Sequence, residues 1–226
     1  APREIFYSTA SLPVIDKAGY REMTRRLSEK FKAHGFIIRS GVSLNASAVN
    51  RYLVNSEGSS VVTGNVYLYL SYYLTARTED GMDLSRGRFY HSDGPGGIPG
   101  EAEIAADIDR SVSELAALLK SEPSEPLSVP AILEGAAAGL FFHEIFGHRI
   151  EGHRQKSESE GQTFAKMLGK RIMPEFLRVY DDPSVHDVKG QFLRGYYTHD
   201  DEAVRAARAS LVENGVLKGF LMGRTP

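Results

Sequence analysis

The spacing of apolar residues divides the chain into helical and extended stretches. Between residues 16 and 34, Tyr20, Met23, Leu27 and Phe31 recur three and four positions apart, with Arg and Glu between them. That pattern predicts an amphipathic helix. Asp16 stands where its carboxylate can cap the first turn, and Gly35 where a helix commonly stops. A second stripe, Ile104, Ile108, Val112, Leu115 and Leu119, predicts a helix over residues 101–120, with Glu101 and Glu103 at the positive end of its dipole. Residues 61–78 are rich in Val, Tyr and Leu and apolar on both faces at their middle, which predicts a central strand covered on each side. Residues 36–39 and 51–55 read as short strands, and Asn55-Ser56-Glu57-Gly58 as a turn. The polar, Gly-rich residues 79–100 read as a surface loop, with a flap near a cleft as the functional alternative. They lack the glycine and lysine order that cradles phosphate.

Past residue 120 the pattern changes. Residues 121–130 hold Pro123, Pro126 and Pro130 and predict a linker. Residues 131–134 read as a short strand. Residues 135–148 predict a third helix, with Ala136, Ala137, Ala138, Leu140, Phe141, Phe142 and Ile145 apolar all round it, so it is expected to be buried. Residues 152–169 are weakly periodic and read as loop. Residues 176–180 read as a strand ended by Asp181-Asp182-Pro183. Asn214-Gly215, between apolar runs 211–213 and 217–222, is a hairpin signal. Together these predict an α+β protein. Residues 1–126 form a mixed or antiparallel sheet with packed helices. Residues 127–226 carry the buried helix and the start of a β-rich part.

The polar residues of the third helix change the picture. His143, Glu144, His148, Glu151 and His153 interrupt an otherwise apolar stretch, and three of the chain's seven histidines are among them. Buried imidazoles and carboxylates are expensive without partners. The cluster is therefore either a hydrogen-bonded structural group or a metal site. His-Glu-x-x-x-His is one residue longer than the zinc-peptidase helix His-Glu-x-x-His, whose two histidines share a face while the Glu activates water. Five positions along a regular helix put the second His about 140° round from the first. Convergence needs a π-bulge, or a helix ending near Gly147, which can take positive φ, so that His148 swings back. In the metal reading, His143 and His148 are ligands and Glu144 is the general base. Glu151 is a ligand or the partner that fixes an imidazole tautomer. His153 is equally a loop residue or a ligand. The ion is divalent, zinc by default, with iron and manganese as alternatives. His186 and His199, in Asp-rich surroundings, read as solvated loop residues, and His34 and His91 as surface residues.

Composition narrows the partners. A formal net charge of −2 gives no electrostatic case for nucleic acid or an anionic membrane. No apolar run has the length of a membrane span. With no cysteine, neither a disulfide nor a thiolate ligand can come from this chain. The chain begins Ala-Pro-Arg and stops at Arg224-Thr225-Pro226, so it is expected to be a piece of a longer protein.

The run His143-Glu144-Ile145-Phe146-Gly147-His148-Arg149-Ile150-Glu151-Gly152 resembles the His-Glu-x-x-Gly-His-x-x-Glu-Gly helix of the TldD/PmbA family, the so-called modulators of DNA gyrase. Asp200-Asp201-Glu202 and the segment from Leu211 to Phe220 are similar to that family's acidic turn and following hairpin. Asn55-Ser56-Glu57-Gly58 resembles a turn ahead of a long strand. The resemblance implies a cytoplasmic metallopeptidase acting on unfolded or short peptides. It implies a homodimer, or a heterodimer with a motif-lacking paralogue, this chain being of the catalytic type. It also implies a cysteine third ligand in the C-terminal part, which this chain does not contain. The site is therefore expected to be open, metal-free and inactive in this piece, unless Glu151 or His153 completes it. Two other functions compete. A non-catalytic subunit could hold an extended peptide at a sheet edge. A gyrase- or DNA-binding role rests on the family's historical name, and the acidic balance opposes it.

Overall fold

The computed structural model describes residues 3–156 and 162–223. Its first part is a four-stranded sheet built on β3 (Ser60–Arg77). Strand β2 (Ile37–Val54) runs antiparallel to it from Ile37 opposite Ala76 to Val54 opposite Ser60. On the other side of β3, β1 (Ile5–Tyr7) pairs in parallel with residues 60–62, and β4 (Asp83–Ser92) pairs antiparallel with residues 68–77.

Alternation along β3 decides what covers each face. Leu68, Leu70, Tyr72, Leu74 and Ala76 point to one side and are buried. Leu27 and Phe31, from α1 (Lys17–Glu29) and the 3-10 turn after it (Lys30–Ala33), pack there with Ile104, Ile108, Val112 and Leu115 of α2 (Glu101–Leu118). The two helical stripes and their limits match the periodicity. The Asp16 carboxylate accepts the Gly19 N–H at 2.8 Å, as its capping position predicts. Among the described residues, Asp107 is the one charged side chain buried in this layer, accepting hydrogen bonds from Arg88 and, at 2.7 Å, from the Tyr90 hydroxyl. Burial pushes its carboxyl up, but those two bonds, together with the charges of Arg88 and Arg110, hold it below the ordinary value.

Several expectations need correction. The opposite face of the sheet, with Tyr67, Tyr69, Ser71 and Tyr73, carries no helix and is covered only in part, by the chain after residue 192; Tyr73 is 53% exposed. The two short strands expected at 36–39 and 51–55 are the ends of one long strand, β2, which runs from Ile37 to Val54. Its middle is small and polar, Ser43, Asn45 and Ser47 alternating toward the open face, and ladder bonds to β3 rather than propensity hold it extended. The supposed loop 79–100 contains β4, in which Gly87 lets the chain pass close to β3: a Cβ there would lie 2.6 Å from the Tyr72 carbonyl oxygen. Gly35 does not take the left-handed conformation of a helix cap. Residues 131–134 form no strand, and the linker before them has no regular structure, as predicted.

The second part is organised round another core, formed by Phe146, Ile150, Leu211, Val212 and Leu217. It holds the sheet β5 (Val179–Asp181), β8 (Ala209–Glu213) and β9 (Val216–Leu217), and the small hairpin β6 (Asp187–Val188) and β7 (Gln191–Phe192). The strand expected at 176–180 is shifted C-terminally, and β9 stops well short of residue 222. The predicted turn is present: Asn214 and Gly215 have φ of 48° and 75°, the type I′ geometry suited to a twisted hairpin. Of the loop expected at 152–169, residues 152–156 form a 3-10 turn, and 157–161 lie outside the described residues. The third helix, α3 (Gly135–Ile145), is shorter than predicted and none of its residues is buried. Its amino acids are those of an internal helix, but none of the described residues buries it.

Candidate metal centre

The site begins with a change of direction at Phe146. Its φ of −120° and ψ of −54° leave the helical basin, and α3 stops at Ile145. Phe146 is 4% exposed and packs against Phe164, ring centroids 5.8 Å apart. Burying that ring turns the chain into the second core. A 3-10 turn, Gly147–Ile150, follows, and Ile150 enters the same core. Of the two expected routes to convergence, the helix end is the one seen. The conformational shift falls on Phe146, however, and Gly147 is not at positive φ.

The tighter turn brings His148 back over the end of α3. The ring centroids of His143 and His148 are 4.4 Å apart, their planes at 68°. His143, Glu144 and His148 each offer a ligand atom within 4.8 Å of the others. Among the described residues no other group of three His, Asp or Glu does so. Two imidazole nitrogens and a carboxylate oxygen at that separation are a donor set a divalent ion fits. The expected burial is absent: the side chains of His143 and Glu144 are 60% and 59% exposed.

Glu151 is drawn to the far side of His148. Its Oε1 lies 2.7 Å from His148 Nδ1, which leaves Nε2 as the nitrogen free to face an ion. Its Oε2 accepts from Arg154 Nε at 2.6 Å. Those bonds, Arg154's first and His148's second, hold the carboxyl below the ordinary glutamate range. Glu151 therefore orients an imidazole, as one of its two expected roles requires, and lies outside the converging group. His153 is 3.6 Å from the same carboxylate and largely exposed. Arg154 was not anticipated; the signal was its position three residues after Glu151, within one turn. Gly152 closes the loop by donating to the Leu221 carbonyl at 2.6 Å, where a Cβ would strike Met222 Sδ and that same oxygen.

The remaining histidines divide. His199 is not solvated: its side chain is 3% exposed, lies 4.6 Å from the Phe6 ring and has no hydrogen-bond partner at Nε2. Burial on β1 overrides its acidic neighbours in sequence. His186 is half exposed and bonds Asp93 at 2.8 Å. His91 lies against Tyr69 and Phe89. His34 is half-buried.

Comparison with known proteins finds metallopeptidase relatives. A family model described as the PmbA/TldA metallopeptidase C-terminal domain matches residues 126–226. A metalloprotease from Methanothermobacter thermautotrophicus is 33% identical over 178 residues, which is 76% of this chain and 36% of that protein. A zinc metalloprotease TldD homolog from Saccharolobus solfataricus is 33% identical over 106 residues, 47% of this chain and 22% of that one. Among solved structures, one described as a modulator of DNA gyrase from Bacteroides thetaiotaomicron shares the fold, with a TM-score of 0.71 at 16% identity, over 96% of this chain and 49% of that one. The chain thus spans half or less of the length of each.

Proposed function

Since the chain belongs to the TldD/PmbA metallopeptidase family, we propose that it is the metal-binding part of a peptidase that hydrolyses unfolded or short peptides. The observation that carries this reading is the convergence of His143, His148 and Glu144 within 4.8 Å despite the five-residue spacing. His143 and His148 would hold a divalent cation, zinc by preference for imidazole ligands, with iron or manganese as alternatives. When bound, the ion supplies Lewis acidity, polarising the scissile carbonyl and making water easier to deprotonate. Glu144, next to His143 and exposed, would take a proton from an attacking water and return it to the leaving amine. Glu151 holds the His148 tautomer, with Arg154 fixing Glu151. The residue that completes the ion's protein ligands lies outside the group seen here. Assembly as a homodimer, or with a motif-lacking paralogue, in the cytoplasm belongs to the same reading. So does a domain division near residue 126.

The test is metal analysis and cleavage of an unstructured peptide by the full-length protein, before and after Glu144→Gln. A stoichiometric ion, with cleavage reduced about 100-fold or more and the ion retained, is expected. Undiminished cleavage in the variant removes Glu144 as the base.

One observation favours a second reading, a non-catalytic peptide-binding subunit. Among the described residues, strand β2 is an edge of its sheet along all 18 residues, a template for an added strand. Full-length protein that binds peptide but neither holds metal nor turns it over supports this reading over the first.

A further inference from the structure

The open face of the sheet is not bare. The chain after β7 crosses it, and two connected clefts remain between them. One, of about 500 Å³, lies among Asn45, Tyr69, Phe89, His91 and Phe192. The other, of about 340 Å³, lies among Thr63, Asn65, Tyr196 and His199. Tyr67 and Arg194 line both. None of His143, Glu144 or His148 lines either.

The floor of the first cleft is aromatic. Tyr69 and His91 are 4.8 Å apart, Phe89 and His91 5.3 Å, and Tyr69 and Phe89 6.3 Å. Phe89 is nonetheless 62% exposed. Joined large aromatic surface left in water marks a binding surface. Burial, and then the charge of Arg194, hold His91 below the ordinary imidazole value, so the plate is neutral.

Charges around the clefts are nearly all committed. Arg51 is paired with Asp201. Asp200 accepts the N–H groups of Glu202 and Val204 at 2.9 and 2.8 Å, within its own turn. Arg194 has no carboxylate partner among the described residues, and it stands where the two clefts meet. A free guanidinium beside an aromatic plate complements a carboxylate next to an apolar side chain.

We propose that this groove is a substrate exosite: it binds an extended peptide segment, Arg194 taking a carboxylate and the Tyr69–Phe89–His91 plate an aromatic side chain. That the ligand is a peptide rests on the peptidase reading; the groove and its charge do not. The groove favours peptides with an acidic residue near an aromatic one, separately from bond cleavage.

The test uses fluorescence anisotropy with the full chain, stripped of metal by chelation. The probes are N-terminally labelled, C-terminally amidated Gly-Phe-Ala-Glu-Gly and its Glu-to-Gln analogue. The Glu peptide is expected to bind about tenfold more tightly than the Gln peptide, the difference one charge-assisted bond supports. Arg194→Gln should remove that difference while leaving the Gln peptide unaffected, and Phe89→Ala should weaken both. Arg194→Lys should restore part of it, separating charge from folding. Equal binding of the two peptides to the unmodified chain, or a preference that survives Arg194→Gln, overturns the proposal. Because the ion and Glu144 take no part in this measurement, failed peptide hydrolysis overturns the peptidase reading without changing it.

Discussion

The imidazoles of His143 and His148 face each other at 4.4 Å, although a continuous helix would point them to opposite sides. What closes the gap is an apolar side chain between them. Phe146 is buried in the second core, and its backbone departs from helical geometry to get there. Phe146→Ala should therefore do two things. Stability falls by about 3–5 kcal/mol, the usual loss for a buried Phe, measured by urea unfolding. Zinc binding, measured by competition with a chromogenic chelator, falls with it, because the helix is free to continue past residue 145. Phe146→Leu should recover most of both.

Glu151 touches His148 and Arg154 but stands outside the converging donors. Glu151→Ala should leave an ion site in place and weaken it about 10- to 100-fold, the range for losing a group that orients a ligand. Replacing His143 or His148 by Ala should abolish stoichiometric binding. Titration of each variant with zinc distinguishes the two outcomes.

The recognition signal was legible in full: both histidines, the adjacent glutamate and the need for a break are all written in His143-Glu144-Ile145-Phe146-Gly147-His148. The position of the break was not. Gly147 drew attention because glycine is permissive, whereas the decisive term was burial of its neighbour, a tertiary contact with Phe164 that no local pattern carries. The same division runs through the fold. Helices α1 and α2 have clear stripes and were read almost to their limits. Strand β4 was missed because Gly87 and its arginines look like loop, although Gly87 is there to admit the chain beside Tyr72 and Tyr73. His199 was misread because its burial comes from β1, nearly two hundred residues earlier in the chain.

Asp107 predicts a pH dependence. Its folded carboxyl is held below the ordinary 3.8 despite burial, through Tyr90 and Arg88. A lowered folded value means the unfolded chain binds the proton more readily. The stabilisation is complete above 3.8 and disappears as pH falls through the lower folded value. Asp107→Asn should cost about 2 kcal/mol at neutral pH, in line with losing hydrogen bonds to a charged group. It should also flatten the acid limb of the stability profile between pH 5 and pH 2, followed by thermal melts.

The apolar flank of α3 predicts behaviour in solution. Leu140, Phe141, Phe142 and Ile145 are each at least 40% exposed, a contiguous patch of the kind that binds other apolar surface. The chain should bind an environment-sensitive dye such as ANS. The double substitution Leu140→Lys and Phe141→Lys should reduce that signal, and light scattering at high concentration should fall with it.

Wet surroundings also govern how strongly His143 and Glu144 can act. In bulk water two charges 4 Å apart interact by about 1 kcal/mol; near a protein surface the figure is about 4. The corner formed by His143, Glu144 and His148 is thus electrically muted while solvent bathes it. A protein surface laid over α3 would act as an insulator, and the same three side chains would then pull several times harder on a charge placed among them.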